Sequence, residues 1–235
     1  MSHQETYRPQ APGSQPAYAH PPYGSTHKRA PKQPLVRLDA TASERSGPSF
    51  LPSRYPPLTD LSRVNERDAM GQRIVVSGKV TDEEGRPVRG TMIELWQANA
   101  AGRYHHARDD HDAPLDPNFR GMGRVFTDDE GRYRFMSIKP GAYPWKNHFN
   151  AWRPNHIHFS LFGPGYASRL ITQMYFPGDP LFPLDPIFNS IPDAAARARL
   201  ISSFDIETTV PEYALGHRFD LVLRGLHATP FEGGG

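Results

Sequence analysis

From Arg73 onward, apolar and polar positions alternate at strand-like spacing. Ile74-Val75-Val76-Ser77-Gly78-Lys79-Val80 and Thr91-Met92-Ile93-Glu94-Leu95-Trp96-Gln97 are rich in the β-branched and aromatic residues that suit a pleated, half-buried surface. Between them, Thr81-Asp82-Glu83-Glu84-Gly85-Arg86-Pro87 is a turn phrase: Asp bonds its own downstream backbone and Gly supplies a positive φ. The phrase recurs at Thr127-Asp128-Asp129-Glu130-Gly131-Arg132, joining Val125-Phe126 to Tyr133-Arg134-Phe135, so two similar strand–turn–strand units are expected. Further strands are predicted over 156–162, 169–176 and 217–224. One short helix is predicted at Ala194–Ile201, after the proline and early acid of Pro192-Asp193. The pattern describes an all-β chain, an antiparallel β-sandwich with long loops, of which 98–123 is the longest and carries many charges and histidines.

Residues 1–70 carry no such periodicity. They are rich in Pro, Ser, Tyr and basic residues and would not build a core of their own. Tyr7, Tyr18, Tyr23, Phe50 and Tyr55 point to an extended Pro-rich arm laid on another surface rather than a solvated tail. The expected division is an arm at 1–70 and a sandwich domain at 71–235.

Composition narrows the chemistry. The chain has 235 residues, 37% of them hydrophobic, and a net charge of only +2 with both signs interspersed, so neither nucleic acid nor membrane is an expected partner. There is no cysteine, which excludes disulfides, thiolate metal sites and cysteine nucleophiles. No apolar run reaches the length of a membrane span and no leader pattern is visible, so the expected location is cytoplasmic. Any metal must be held by His, Asp, Glu, Tyr or backbone oxygen.

The run Trp152-Arg153-Pro154-Asn155-His156-Ile157-His158-Phe159 is the main candidate for chemistry. Residues two apart on a strand share a face, so His156 and His158 stand side by side, half of a metal site. The plainer alternative is a strand with two half-buried imidazoles. Arg153-Pro154 fixes the local backbone, and Trp145, Phe149, Trp152 and Phe159 offer an apolar wall for a planar ligand. Tyr143 and Tyr104 are possible anionic oxygen donors, although spacing alone favours packed loop tyrosines. A second cluster, His105, His106, Asp109, Asp110, His111 and Asp112, could take a divalent ion such as zinc or ferrous iron; a solvated charged loop is the simpler account.

Several phrases together resemble the intradiol ring-cleavage dioxygenases: Leu95–Ala100, Gly102-Arg103-Tyr104, Ala113–Phe119, Ile138–Trp145, Trp152–Phe159 and Phe219–Gly225, with a weaker match in the arm around Tyr23 and Arg29. Within that family the resemblance points to the branch that pairs an iron-free α chain with an iron-bearing β chain and opens 3,4-dihydroxybenzoate with dioxygen to 3-carboxy-cis,cis-muconate, through a ferric-catecholate intermediate. It implies non-haem ferric iron (Fe3+) held by Tyr104, Tyr143, His156 and His158. It implies that Tyr143 acts as internal base, that Arg153 stabilises the charge developing on the ring, and that Tyr23, Trp145, Gln173 and Ile187 line the substrate pocket. It also implies αβ heterodimers in a larger oligomer, with the arm packing on the α subunit. Two alternatives stay open. One is an intradiol enzyme for catechol or hydroxyquinol. The other is a non-enzymatic binding module, because Val80–Gly90 also resembles carboxypeptidase regulatory-like β-sandwich domains.

Overall fold

The computed structural model describes residues 12–34, 36, 51–146, 148–162 and 170–232. Tyr7, Phe50 and the first residue of the strand expected at 169–176 lie outside the described residues, as does the side chain of Arg29. Two sheets pack face to face. The first runs β10(Leu170–Tyr175)-β9(His156–Phe162)-β4(Met92–Trp96)-β5(Met122–Phe126), all antiparallel. The second is centred on β3(Arg73–Thr81), with β6(Arg132–Ile138) antiparallel on one side. On its other side lie β12(Leu215–Arg218) and β13(Leu221–Val222), and β11(Ser203–Phe204) extends from β12. Two ribbons, β1(Arg63–Val64) with β2(Arg67–Asp68) and β7(Tyr143–Trp145) with β8(Ala151–Arg153), complete the strands among the described residues.

Alternation builds the core. Ile157, Phe159 and Leu161 of β9 meet Ile93 and Leu95 of β4, Val76 and Val80 of β3, and Tyr133 and Phe135 of β6 in one buried cluster. Residues 58–61 close the side of the sandwich: Leu58 pairs with Arg124 on β5, while Leu61 N donates to the Met136 carbonyl on β6 at 2.9 Å.

The two echoing turn phrases form matching turns. Asp82 Oδ1 accepts from the backbone N–H groups of Glu84 and Arg86, and Asp128 Oδ1 does the same for Glu130 and Arg132. Gly85 and Gly131 take φ values of 78° and 74°, where a side chain would be strained. Their role differs from the expected strand–turn–strand unit. The second turn carries the chain from β5 in one sheet to β6 in the other, and after the first Val88 pairs back on Val80 before the chain crosses to β4. Both are sheet-to-sheet crossings.

Three further expectations are corrected. The sandwich is not wholly antiparallel, because β12 and β13 both run parallel to β3. The strand expected over 217–224 breaks at Phe219-Asp220. There the Phe219 carbonyl turns inward to accept the Tyr133 hydroxyl, and the Phe219 ring is buried. Among the described residues three short helices stand where one was expected: α1(Thr26–Arg29), α2(Pro186–Asn189) and α3(Ala194–Ala198), with a 3-10 turn at Phe182–Leu184. The predicted helix is α3, capped by Asp193 accepting from Ala195 N at 2.9 Å. It stops short of Ile201, which pairs with Tyr175 instead. Among the described residues no helix is long and apolar enough to cross a membrane.

Candidate metal centre

Parity on β9 sets the site. With Ile157, Phe159 and Leu161 facing the core, His156 and His158 must occupy the outer face, and their rings lie 4.9 Å apart. The register then chooses their neighbours: Tyr175 stands opposite His156, and Gln173 and Trp96 flank His158. Trp96 stacks on the His158 ring at 4.7 Å and 5°.

Tyr143 comes from the β7–β8 ribbon, where it stands in register with Arg153. Three residues after Arg153 the chain enters β9, so Tyr143, Arg153 and His156 belong to one continuous unit. Tyr104 arrives from the 98–123 loop because two backbones touch there. Gly141 N donates to the Asn99 carbonyl at 2.8 Å, and a Cβ on Gly102 or Gly141 would collide with the facing backbone. Gly102 also has a φ of 80°. The result is a Tyr104–Tyr143 edge contact at 5.6 Å, with the Tyr143 hydroxyl 3.4 Å from His156 Nε2.

Hydrogen bonds settle the donor atoms. His156 Nδ1 lies 2.6 Å from the Pro154 carbonyl, which can only accept, so Nδ1 carries the proton and Nε2 keeps its lone pair. His158 Nδ1 is 3.0 Å from a Glu232 carboxylate oxygen, which selects the same tautomer. Burial pushes the His156 pKa well below its ordinary value, and the charge of Arg153 adds to this, so the imidazole is neutral. Burial raises the Tyr104 phenol well above its ordinary value, and Tyr143 raises it further. Burial also raises the Tyr143 phenol above its ordinary value, and Arg153 and Tyr104 offset only part of that rise.

Arg153 is 3% exposed and anchored on several sides. Its Nε lies 3.2 Å from Asp185 Oδ1 as an ion pair that is not aligned for a hydrogen bond, and a terminal nitrogen donates to Gln173 Oε1. Burial opposes its charge, but Asp185 and the surrounding tyrosines outweigh that and hold its pKa well above the ordinary value. Gln173 links both halves of the site, since its amide nitrogen donates to Glu232. Burial works to raise the Glu232 pKa; its bonds to His158 and Gln173 win, and the carboxylate sits below its usual range.

Of the other residues singled out, Tyr23 is buried and reaches from the arm to Trp145 at 5.5 Å, and Trp145 also faces the Arg153 guanidinium at 5.8 Å. Ile187 sits half-buried on α2, its N–H donating to Asp185. Phe149 stands fully exposed, so it is no part of an apolar wall, and Phe159 faces the core instead. The acidic and histidine-rich loop organises itself. Asp109 accepts from Tyr104 N and His111 N, Asp110 pairs with Lys146, and His106 accepts from Arg108 N. No three His, Asp or Glu side chains gather as a metal cluster among the described residues.

A ferric ion fits the donor set. The Tyr104 hydroxyl is buried without a hydrogen-bond partner, an unfavourable state that an oxygen-seeking cation would relieve. Two imidazoles present Nε2, and two phenols supply the hard oxygen donors that suit Fe3+. Sequence reasoning missed Asp185, Tyr175, Trp96 and Glu232. Asp185 had a signal, since Asp before Pro opens a helix, and it caps α2 by accepting from Ile187 N at 2.9 Å. Tyr175 and Trp96 follow from strand register, whereas Glu232 has no local signal at all.

A family model described as dioxygenase matches residues 45–225, and one described as the N-terminal region of the protocatechuate 3,4-dioxygenase beta subunit matches 7–41. The chain belongs to the intradiol ring-cleavage dioxygenase family. Within it, similarity runs to the β chains of protocatechuate 3,4-dioxygenase: the chain is 59% identical to that of Burkholderia cepacia, over 93% of this chain and 94% of the relative. The protocatechuate 3,4-dioxygenase alpha chain of Pseudomonas putida is more distant, 29% identical over 84% of this chain and 98% of that one. Among solved structures, 3-chlorocatechol 1,2-dioxygenase from Rhodococcus opacus superposes with a TM-score of 0.53 at 26% identity, over 75% of this chain and 69% of that one. These neighbours share the β-sandwich.

Proposed function

We propose that this chain is the iron-bearing β chain of an αβ protocatechuate 3,4-dioxygenase, converting 3,4-dihydroxybenzoate and dioxygen to 3-carboxy-cis,cis-muconate. The convergence of Tyr104, Tyr143, His156 and His158 on the outer face of one sheet carries the reading. The higher identity to a β chain, 59% over 93% of this chain, than to a catechol 1,2-dioxygenase, 39% over 57%, supports protocatechuate as substrate, and the four-donor cluster disfavours the metal-free binding module.

In this reading Tyr104, Tyr143, His156 and His158 hold ferric iron, which when bound favours phenolate over phenol and draws electron density from a bound catecholate. Tyr143 takes a substrate hydroxyl proton. It stands in register with Arg153 on the β7–β8 ribbon, beside both Tyr104 and His156, which places its oxygen for that task. Arg153 supplies a fixed positive charge for the electron-rich ring, and its anchors spare the cost of reorganising it. Tyr23, Trp145 and Ile187 form the walls that orient the ring and exclude water. Gln173 serves the pocket chiefly by holding Arg153.

The division into an arm at 1–70 and a catalytic domain at 71–235 belongs to the same proposal, with the remaining arm packing on the α chain in repeated αβ heterodimers. Exposed Phe204, Ile206, Val210, Tyr213 and Leu215 cluster in sequence on the β11–β12 side and suit burial in an assembly. We place the complex in the cytoplasm, where a chain without cysteine needs no oxidising compartment. The test is the visible spectrum of the purified αβ complex before and after anaerobic addition of protocatechuate, with turnover of protocatechuate and catechol alongside. A tyrosinate-to-iron band that shifts on protocatechuate is expected. A colourless, iron-free complex, or turnover of catechol alone, overturns the reading.

A further inference from the structure

The two ends of the chain meet beside the site. Gln15 reads the C-terminal segment through both ends of its amide: Nε2 donates to the Thr229 carbonyl at 3.1 Å, and Oε1 accepts from Phe231 N at 2.9 Å. Tyr18 stacks on Phe231 at 5.3 Å. On its other side this segment lies along β10, the edge strand of its sheet. Thr172 Oγ1 donates to the Pro230 carbonyl at 2.6 Å, and Glu232 N donates to the Ile171 carbonyl at 2.9 Å. The segment is therefore gripped between arm and sheet, and the residue that emerges from the grip is Glu232, whose carboxylate meets His158 Nδ1 at 3.0 Å.

We propose that Glu232 and Gln15 are positioning residues for the metal centre: Gln15 locks the C-terminal segment, and Glu232 holds His158 with Nε2 presented for coordination. The inference rests on the reading of His158 as a ligand. A ligating histidine whose other nitrogen has a fixed acceptor keeps its tautomer and ring orientation, and loss of such an acceptor typically costs about 10–100-fold in metal affinity. Gln173 also donates to Glu232, so the carboxylate is fixed from two directions. The arm thus does more than cover a partner surface, since it completes the metal site of its own chain.

The test measures iron release from the αβ complex to a strong chelator, followed by loss of the visible band, with a thermal melt of each iron-free complex beside it. Glu232→Ala is expected to release iron about 10–100-fold faster, and Glu232→Gln, which keeps an acceptor, to remain near the wild-type rate. Gln15→Ala should accelerate release by a smaller factor. The Gln15→Ala/Glu232→Ala pair should be no faster than Glu232→Ala alone, because both act through one contact. Gln15→Asn keeps the amide with a shorter reach and gives the same comparison should the alanine variant fail to assemble. Unchanged release in the Gln15 variants, or factors that multiply in the double variant, overturns the proposal while leaving the metal assignment intact. A wild-type complex that takes up no iron overturns the metal assignment, and this inference with it.

Discussion

The two faces of β9 are built from adjacent residues and do opposite work. Ile157, Phe159 and Leu161 face inward, fully buried among hydrocarbon side chains. His156, His158 and Ser160 face outward onto a floor of Trp96, Gln173 and Tyr175. The inward face supplies the stability that burial of apolar area provides. The outward face holds a buried cation, a buried carboxylate and an unpaired phenol, all of which cost stability. Parity along one strand separates the part that folds the chain from the part proposed to perform its chemistry. A one-residue slip in register would exchange them and lose both.

Substitutions on neighbouring residues should break the comparison cleanly. His158→Ala is expected to abolish iron binding and turnover, measured by metal content and assay, while moving the stability of the iron-free chain by only about 1 kcal/mol. Phe159→Ala, one residue away, should do the reverse. It removes a ring packed against Tyr133, Phe135 and Phe219, and a loss of about 3–5 kcal/mol in chemical denaturation is expected. Whatever Phe159→Ala protein remains folded should still bind iron. Equal losses of stability from both variants would show that the faces are not separable.

The same parity explains what was legible in the sequence. His-Ile-His-Phe announces two faces because β9 is a regular strand, and the Asp-Glu-Gly turns announce themselves through their own side-chain bonds. Residues joined by distant chain segments gave no such signal. Glu232 is a lone acid near the C-terminus until β10 and Gln15 place it beside His158, and the parallel pairing of β12 with β3 depends on a crossover that no local pattern encodes. The 217–224 run alternates well, yet it breaks because Tyr133 captures the Phe219 carbonyl from another strand. Resemblance to a family supplied the tyrosines, which spacing alone would have left as packing.

On the chemical face, Tyr143→Phe separates holding from proton transfer. Tyr104 and both strand histidines remain, so the variant should retain some iron, and turnover per bound iron should fall by about a hundredfold, the lower range for loss of a positioned base. Steady-state kcat with iron content measured on the same sample is the check. Unchanged kcat would remove Tyr143 from the proton path. Loss of iron instead would make the residue a holding group only.

The smallest expected effect compares two buried histidines. His156 has its Nδ1 proton accepted by a carbonyl, whereas His217 on β12 lies against the Phe176 ring at 4.9 Å with Nδ1 unpaired. Burial lowers the His217 pKa to about 4, and the nearby Lys139 charge adds to the shift. An unfolded histidine titrates near pH ~6.5. Between those values the unfolded chain binds more protons than the folded one, so acidification favours unfolding. The contribution is therefore complete above pH ~6.5 and is lost as the pH falls towards about 4. Thermal melts of iron-free protein from pH 4 to 7 should show His217→Gln less acid-sensitive than wild type, by about 1 kcal/mol after allowance for solvent screening. Parallel curves for the two proteins would mean that His217 titrates alike in the folded and unfolded chain, and that an unpartnered imidazole in this sheet is less costly than its surroundings indicate.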